Sequence, residues 1–203
     1  MYLAGLCFLA FEAPAVHAPP APPPSGLVIL DAGTRELPLR GPVEEVRDDA
    51  GALRFEDLTR DAVVFRPVDP RGINHGYTGA TYWYRFTLRN DGGANANTDW
   101  VLELSYTPLD HVDFYLTQAG VVTHVKTGDQ EPISAGQLDH HEYAVPIQIA
   151  GGERVQVALR VQTGGTHLVP LTLWAQRDFQ AAAARENLGY GVKIGRASCR
   201  ERV

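Results

Sequence analysis

Cysteine is almost missing from this chain: there are two in 203 residues, Cys7 near the start and Cys199 near the end. A disulfide framework is therefore excluded for the body of the chain, which must be held by packing, and there is no cysteine nucleophile. Basic residues are also short, 18 against 24 acidic, for a formal charge of −6. That balance argues against a nucleic-acid partner, whose phosphates call for a basic face. No run of about 20 apolar residues supplies a membrane helix. The G-x-S-x-G elbow, the P-loop and H-E-x-x-H are all missing, so enzyme activity has no sequence support and no cofactor is expected. What is there, 44% hydrophobic and 21% charged residues, suits a globular domain with a sizeable core.

The two ends read differently from the middle. Residues 1–18, MYLAGLCFLAFEAPAVHA, carry an apolar run followed by Val16 and Ala18 at the spacing of a signal-peptide cleavage site, although the usual positive start is missing. Glu12 and Pro14 make a buried strand a poor alternative. Cys7 follows Leu6, where a lipoprotein signal needs a small residue, so no lipid anchor is expected. Residues 19–26, PPAPPPSG, read as a stiff Pro-rich linker. Residues 193–203, KIGRASCRERV, resemble the in-frame translation of a widely used short-read sequencing adapter and are set aside from fold reasoning. This tail holds four basic residues and one acidic, so without it the formal charge goes from −6 to −9, and to −8 once Glu12 leaves with the signal. Both cysteines depart with the ends.

Between them lie short segments rich in β-branched and aromatic residues: LVIL (27–30), AVVF (62–65), TYWYRFTLRN, WVLELSY, HVDFYLTQ, GVVTHVKTG, EYAVPIQIA, ERVQVALRVQ and LVPLTLW. NDGGANANTD reads as a loop, and QAGV and IAGGER as hairpin connections with glycine available for positive φ. Only residues 175–187, AQRDFQAAAAREN, have helix composition. Alternation puts Tyr84, Phe86 and Leu88 on a core-facing side, with Leu102, Leu104 and Tyr106; Val112, Phe114 and Leu116; and Val155, Val157, Leu159 and Val161. The fold expected is all-β, an antiparallel two-sheet sandwich of jelly-roll type with a short C-terminal juxtamembrane helix.

Candidate chemistry lies on the polar sides of the strands. Trp83 and Arg85 share one face, Asp113 and Tyr115 another, and Arg160 a third; if these faces converge, an aromatic plate flanked by Arg and Asp suits a sugar or a small polar ligand. The bland alternative makes Trp83 a plug and Arg85–Asp113 a structural pair. Asp139, His140, His141 and Glu142 are adjacent, but neighbours on a strand face opposite ways and neighbours in a loop are normally solvated, so no metal site is expected. His75, His111, His124 and His167 are isolated in sequence. Glu44, Glu45, Asp48 and Asp49 read as solvated surface charge rather than as a catalytic carboxylate pair. Trp100 and Trp174 read as packing residues.

The series TYWYRFTLRND, WVLELSYTPLDHVDFYL, Gly128 ahead of a proline, RVQVALRVQT, VPLTLW, then DF and REN-LGYG resembles the second type of extracellular sensor domain of bacterial seven-transmembrane receptors with diverse intracellular signalling modules, over about residues 27–192. The resemblance implies a sandwich sensor domain over 27–178 and a juxtamembrane segment over 179–192. It also implies a transmembrane region of the same full-length chain and an output module such as a diguanylate cyclase or histidine kinase, both missing here. The expected function is sensing of a small molecule or carbohydrate on the periplasmic side of the bacterial inner membrane, with a homodimer left open. A secreted, non-catalytic carbohydrate-binding module is the alternative, since it shares the architecture.

The export reading has a direct check. Residues 1–26 fused to a reporter active only in the periplasm are expected to give signal; an expressed but silent fusion would show that this segment does not direct export.

Overall fold

A computed structural model describes residues 26–60, 62–93, 96–132 and 136–185. The signal segment, most of the Pro-rich linker, the LGYG stretch and the adapter-like tail lie outside the described residues. In chain order the strands are β1 (Leu27–Leu30), β2 (Glu36–Pro38), β3 (Glu44–Asp48), β4 (Arg66–Pro67), β5 (Asn74–Tyr77), β6 (Thr81–Asn90) and β7 (Asp99–Leu104). There follow β8 (His111–Gln118), β9 (Val121–Thr127), β10 (Tyr143–Gln148), β11 (Arg154–Gln162), β12 (Thr166–Leu168) and β13 (Leu171–Ala175). A 3-10 turn spans Phe55–Thr59, and a helix, α1, runs over residues 176–185.

The strands form the expected two-sheet sandwich. One sheet is ordered β4-β3-β6-β11-β8-β9, with β1 pairing in parallel along the far half of β6; the other is ordered β10-β7-β13-β2. A small β5–β12 ribbon closes one flank. The alternation read from sequence holds throughout: Tyr84, Phe86, Leu88, Leu102, Leu104, Val112, Phe114, Leu116, Val155, Val157, Leu159 and Val161 all enter one buried cluster, with Tyr106 packed against it. Trp100 is wholly enclosed there too. Removing that apolar surface from water is the main stabilising term.

Each sheet also carries a cover on its outer face. Over the larger sheet, Leu53, Phe55, Leu58 and Phe65 close on Trp83, Ala158 and Val46. Over the smaller one, Phe179 of α1 seats on Val101 and Ala144 beside Trp174 and Leu138. The first cover is anchored by Asp48, the last residue of β3, whose carboxylate accepts the backbone N–H groups of Ala52 (3.2 Å) and Leu53 (2.8 Å). The 3-10 turn is then closed at its start, Arg54 N–H donating to Asp57 Oδ2 (2.9 Å).

Several expectations are corrected. Residues 62–65 are not a strand: Val63 N–H turns back to the Arg60 carbonyl (3.0 Å), and Phe65 is apolar because it joins the cover. IAGGER is not a hairpin, since β10 and β11 lie in different sheets; Gly152, at φ +82°, turns an inter-sheet crossover. Glu44, Glu45 and Asp48 are not solvated loop charges but lie on β3, Glu44 bonded to Arg85 (2.8 Å) and Glu45 to His75 (2.8 Å). Asp49 does stay exposed, paired with Arg47. Helix α1 starts one residue later than expected because Ala175 still pairs in β13, and residues 186–187 lie outside the described set.

His167 on β12 is fully enclosed, its Nε2 at 2.8 Å from the Tyr84 hydroxyl, and its Nδ1 has no hydrogen-bond partner among the described residues. Burial, with a smaller contribution from the nearby His75, pulls its pKa down to about 4 from 6.5. The unfolded chain therefore binds a proton between about pH 6.5 and about pH 4 that the folded chain refuses, so stability is full above that window and falls through it. The expected loss is about 3 kcal/mol. Melting temperatures across this window check it: the acid-side drop should be clearly smaller in His167→Gln than in the parent, and equal drops would show that His167 is not responsible.

Candidate functional site

The outer face of the larger sheet gathers the residues singled out from the sequence. Register pairs Arg160 of β11 with Trp83 of β6 on one side and with Asp113 of β8 on the other, and Asp113 in turn with Lys126 of β9. The next row on this face runs Glu44, Arg85, Ala158, Tyr115 and His124. Period-two alternation thus brings all five candidates, Trp83, Arg85, Asp113, Tyr115 and Arg160, onto one face of one sheet.

They do not all do the same thing. Trp83, Asp113, Tyr115 and Arg160 line a cleft of about 610 Å³, together with Leu53, Arg54, Phe55, Glu56, His111, His124, Lys126, Glu131 and Gln162. Arg85 is outside it. Its guanidinium is bonded to Glu44 (2.8 Å) and lies 3.8 Å from the centre of the Phe65 ring, roughly 10 Å (two strand spacings) across the sheet from Asp113. The expected sharing between Arg85 and Asp113 is therefore corrected: each has its own partners.

Solvent access is corrected as well. Trp83 is 1% exposed, sealed beneath the 53–65 cover, because a large indole on the outside of a sheet requires an apolar lid. It is a floor rather than a plate. Asp113 is buried, while Arg85, Tyr115 and Arg160 are half-buried. Phe55 and His124 both stack on the Tyr115 ring, at centroid separations of 4.6 and 4.4 Å. Burial, and next the Asp113 charge, push the Tyr115 hydroxyl above its ordinary pKa.

Two carboxylates organise the polar side. Asp113 Oδ1 is 2.8 Å from His124 Nε2, and its other oxygen is 3.5 Å from the Arg160 guanidinium, which also donates to Gln162 (2.9 Å). Glu131 Oε1 is 2.7 Å from His111 Nδ1 and 2.8 Å from Lys126 Nζ. The Lys126 bond holds Glu131 below the usual carboxylate range and raises Lys126. Glu131 reaches this position through the turn after β9. Gly128 sits at φ +135°, and a Cβ there would strike the Asp110 carbonyl, so only glycine lets the turn pack on the start of β8. Asp129 N–H to the Leu109 carbonyl (2.9 Å) and Glu131 N–H to that of Gly128 (3.2 Å) fix it.

Sequence reasoning passed over His111, His124, Lys126 and Glu131. The signal for two of them was the tight QAGV turn. With Ala119 and Gly120 at its tip, both at positive φ, pairing of Gln118 with Val121 places Tyr115 opposite His124 and Asp113 opposite Lys126. His140, His141 and Glu142 bring one potential ligand atom each within 4.8 Å of one another, the Glu142 N–H bonding His140 Nδ1 (3.1 Å) in a loop rather than on a strand.

Because Trp83 belongs to a packed cluster, Trp83→Ala is expected to destabilise the fold by about 3–5 kcal/mol, the range for emptying a large aromatic site. Denaturant unfolding checks this; a loss below about 1 kcal/mol would show that the cover does not pack on the indole.

No curated protein matches the chain. The family model for 7TMR-DISM extracellular 2 matches residues 41–175, from just before β3 to the end of β13 and thus across the whole cleft. The chain belongs to the 7TMR-DISM extracellular 2 family, the extracellular sensor domains of membrane receptors.

Proposed function

We propose that the domain senses a small molecule in the cleft between the 53–59 segment and the β8–β9 hairpin, and relays its occupancy to the transmembrane and signalling modules of a full-length receptor. The observation that carries the reading is the convergence of Trp83, Asp113, Tyr115 and Arg160, on three different strands, around one concavity of about 610 Å³. That volume lies within the range of small-ligand sites, and a few polar groups over an apolar floor is their usual composition. The family supports the receptor context and a periplasmic location. Among the described residues, no helix is long and apolar enough to cross a membrane.

The family supports a role in binding rather than chemistry. His124 and His111 each contact a carboxylate, an arrangement that elsewhere activates a nucleophile. Here, no serine, threonine or cysteine lies among the described residues lining the cleft, so neither imidazole has a hydroxyl or thiol of that kind to deprotonate. The secreted carbohydrate-binding module is less well supported, because Trp83, the residue it would need as an open plate, is covered.

Gln162, half-buried at the rim, provides the test. A panel of organic acids, sugars and amino acids screened by melting temperature is expected to contain compounds that stabilise the chain, and Gln162→Trp, which crowds the cleft beside Arg160, is expected to weaken or abolish that shift while changing the unliganded stability by no more than about 1 kcal/mol. Stabilisation that survives Gln162→Trp would place binding elsewhere.

A further inference from the structure

The cleft sorts its charges by depth. Asp113 and Glu131 lie low, their side chains 9% and 14% exposed, whereas three of the groups bonded to them stand toward solvent, Lys126 51%, His124 44% and His111 38%, with Arg160 lower at 20%. Each carboxylate is engaged by nitrogen groups, Asp113 by His124 and Arg160 and Glu131 by His111 and Lys126. Arg54, exposed on the opposite rim, adds another cation, and Glu56 is the only exposed carboxylate among the described lining residues. Apart from Glu56, an incoming molecule thus meets nitrogen, with the oxygens of Asp113 and Glu131 a side-chain layer further away. This happens in a chain whose formal charge is −6. The formal charges of the lining balance, Arg54, Lys126 and Arg160 against Glu56, Asp113 and Glu131, so it is their sorting by depth that offers donors to an anion locally in an otherwise acidic protein. Because these low-lying carboxylates already hold the side chains in place, less rotamer freedom is left to lose on binding.

The aromatic groups point the same way. A neutral sugar is gripped by an open ring face, but Trp83 is sealed under the cover and the Tyr115 ring is stacked by both Phe55 and His124. We propose that the cleft takes a small organic anion, its carboxylate or phosphate oxygens held by Lys126, His111, His124 and Arg54 against the Phe55–Tyr115 wall. This deepens the sensing reading above and rests on the cleft being the ligand site.

The probes are a hexose, the uronate of the same hexose, its 6-phosphate, and inorganic phosphate, titrated into the full chain while the imidazole signals of His111 and His124 are followed by NMR. The charged probes are expected to shift both imidazoles at millimolar concentration and the hexose is not; the uronate and the phosphates tell carboxylate from phosphate preference. Lys126→Met is expected to weaken the anion roughly tenfold or more, as for loss of a charge-assisted hydrogen bond. Arg89→Met, which removes an exposed arginine paired with Asp91 away from the cleft, should leave affinity unchanged. If the hexose binds as well as its uronate and shifts the same imidazoles, the anion assignment is overturned and the cleft remains the site. If anions bind without moving His111 and His124, or regardless of Lys126→Met, the cleft itself is the wrong site. Failure of every charged probe to bind also overturns the proposal.

Discussion

Strand β6 buries a tryptophan on its otherwise polar outer face as well as burying its apolar inner face, and the rest of the molecule answers that constraint. A strand at the middle of a sheet whose residues are buried on both sides cannot be satisfied by a two-layer sandwich alone. Tyr84, Phe86 and Leu88 are covered by the second sheet; Trp83 is left facing outward and must be covered by something else. The cover is the 53–65 segment, tied down by Asp48 immediately after β3. Where that segment ends, the sheet face continues across Arg160, Asp113 and Lys126 without a lid, and the cleft is the step between covered and uncovered sheet. The cleft is thus a by-product of how one tryptophan is buried.

The electrostatics follow from the same step. Asp113 sits between Arg160 and Lys126 in the register, so its carboxylate lies at the foot of the cover, where water is scarce and partners are needed. His124 and Arg160 supply them. Glu131 has no strand to place it and depends instead on the Gly128 turn, which swings it over the start of β8 to meet His111 and Lys126. Two carboxylates reach the cleft by unrelated backbone routes and end in the same arrangement, an acid below and nitrogen above. Satisfied charges of this kind fix side-chain geometry more than they add stability, since the cost of desolvation offsets much of the Coulombic gain.

What the sequence made legible was local. Alternation put Tyr84, Phe86 and Leu88 inward and Trp83, Arg85, Asp113, Tyr115 and Arg160 on the opposite faces, and the structure keeps every one of those orientations. The family was legible too, through the order of several individually unspecific segments. What stayed hidden was non-local. No pattern in 53–65 announces that Leu53, Phe55 and Phe65 belong to a lid, because their partners are reached only through tertiary contact. The acidic run on β3 looked like surface because its partners, Arg85 and His75, lie about 30 to 40 residues away. IAGGER failed for a related reason: glycine marks a turn but not which sheet the chain enters next.

The geometry also constrains how occupancy could be felt elsewhere. The cleft lies on the outer face of one sheet, and α1, which continues directly from β13, packs Phe179 on the outer face of the other. Between them stands the densely packed core of Phe114, Leu159, Tyr84, Leu102 and Leu173. Such an interior is poorly compressible and transmits displacement rather than absorbing it. On the proposed reading, a ligand that draws the β8–β9 hairpin toward the 53–59 segment would act by changing the twist of the larger sheet. The smaller sheet would have to follow to keep its side chains interdigitated, and with it β13 and the start of α1. The rigid element at the exit is therefore placed where a movement of one sheet against the other becomes a movement of a helix. A ligand produces that shift only to the extent that it binds one arrangement of the sheets more tightly than the other.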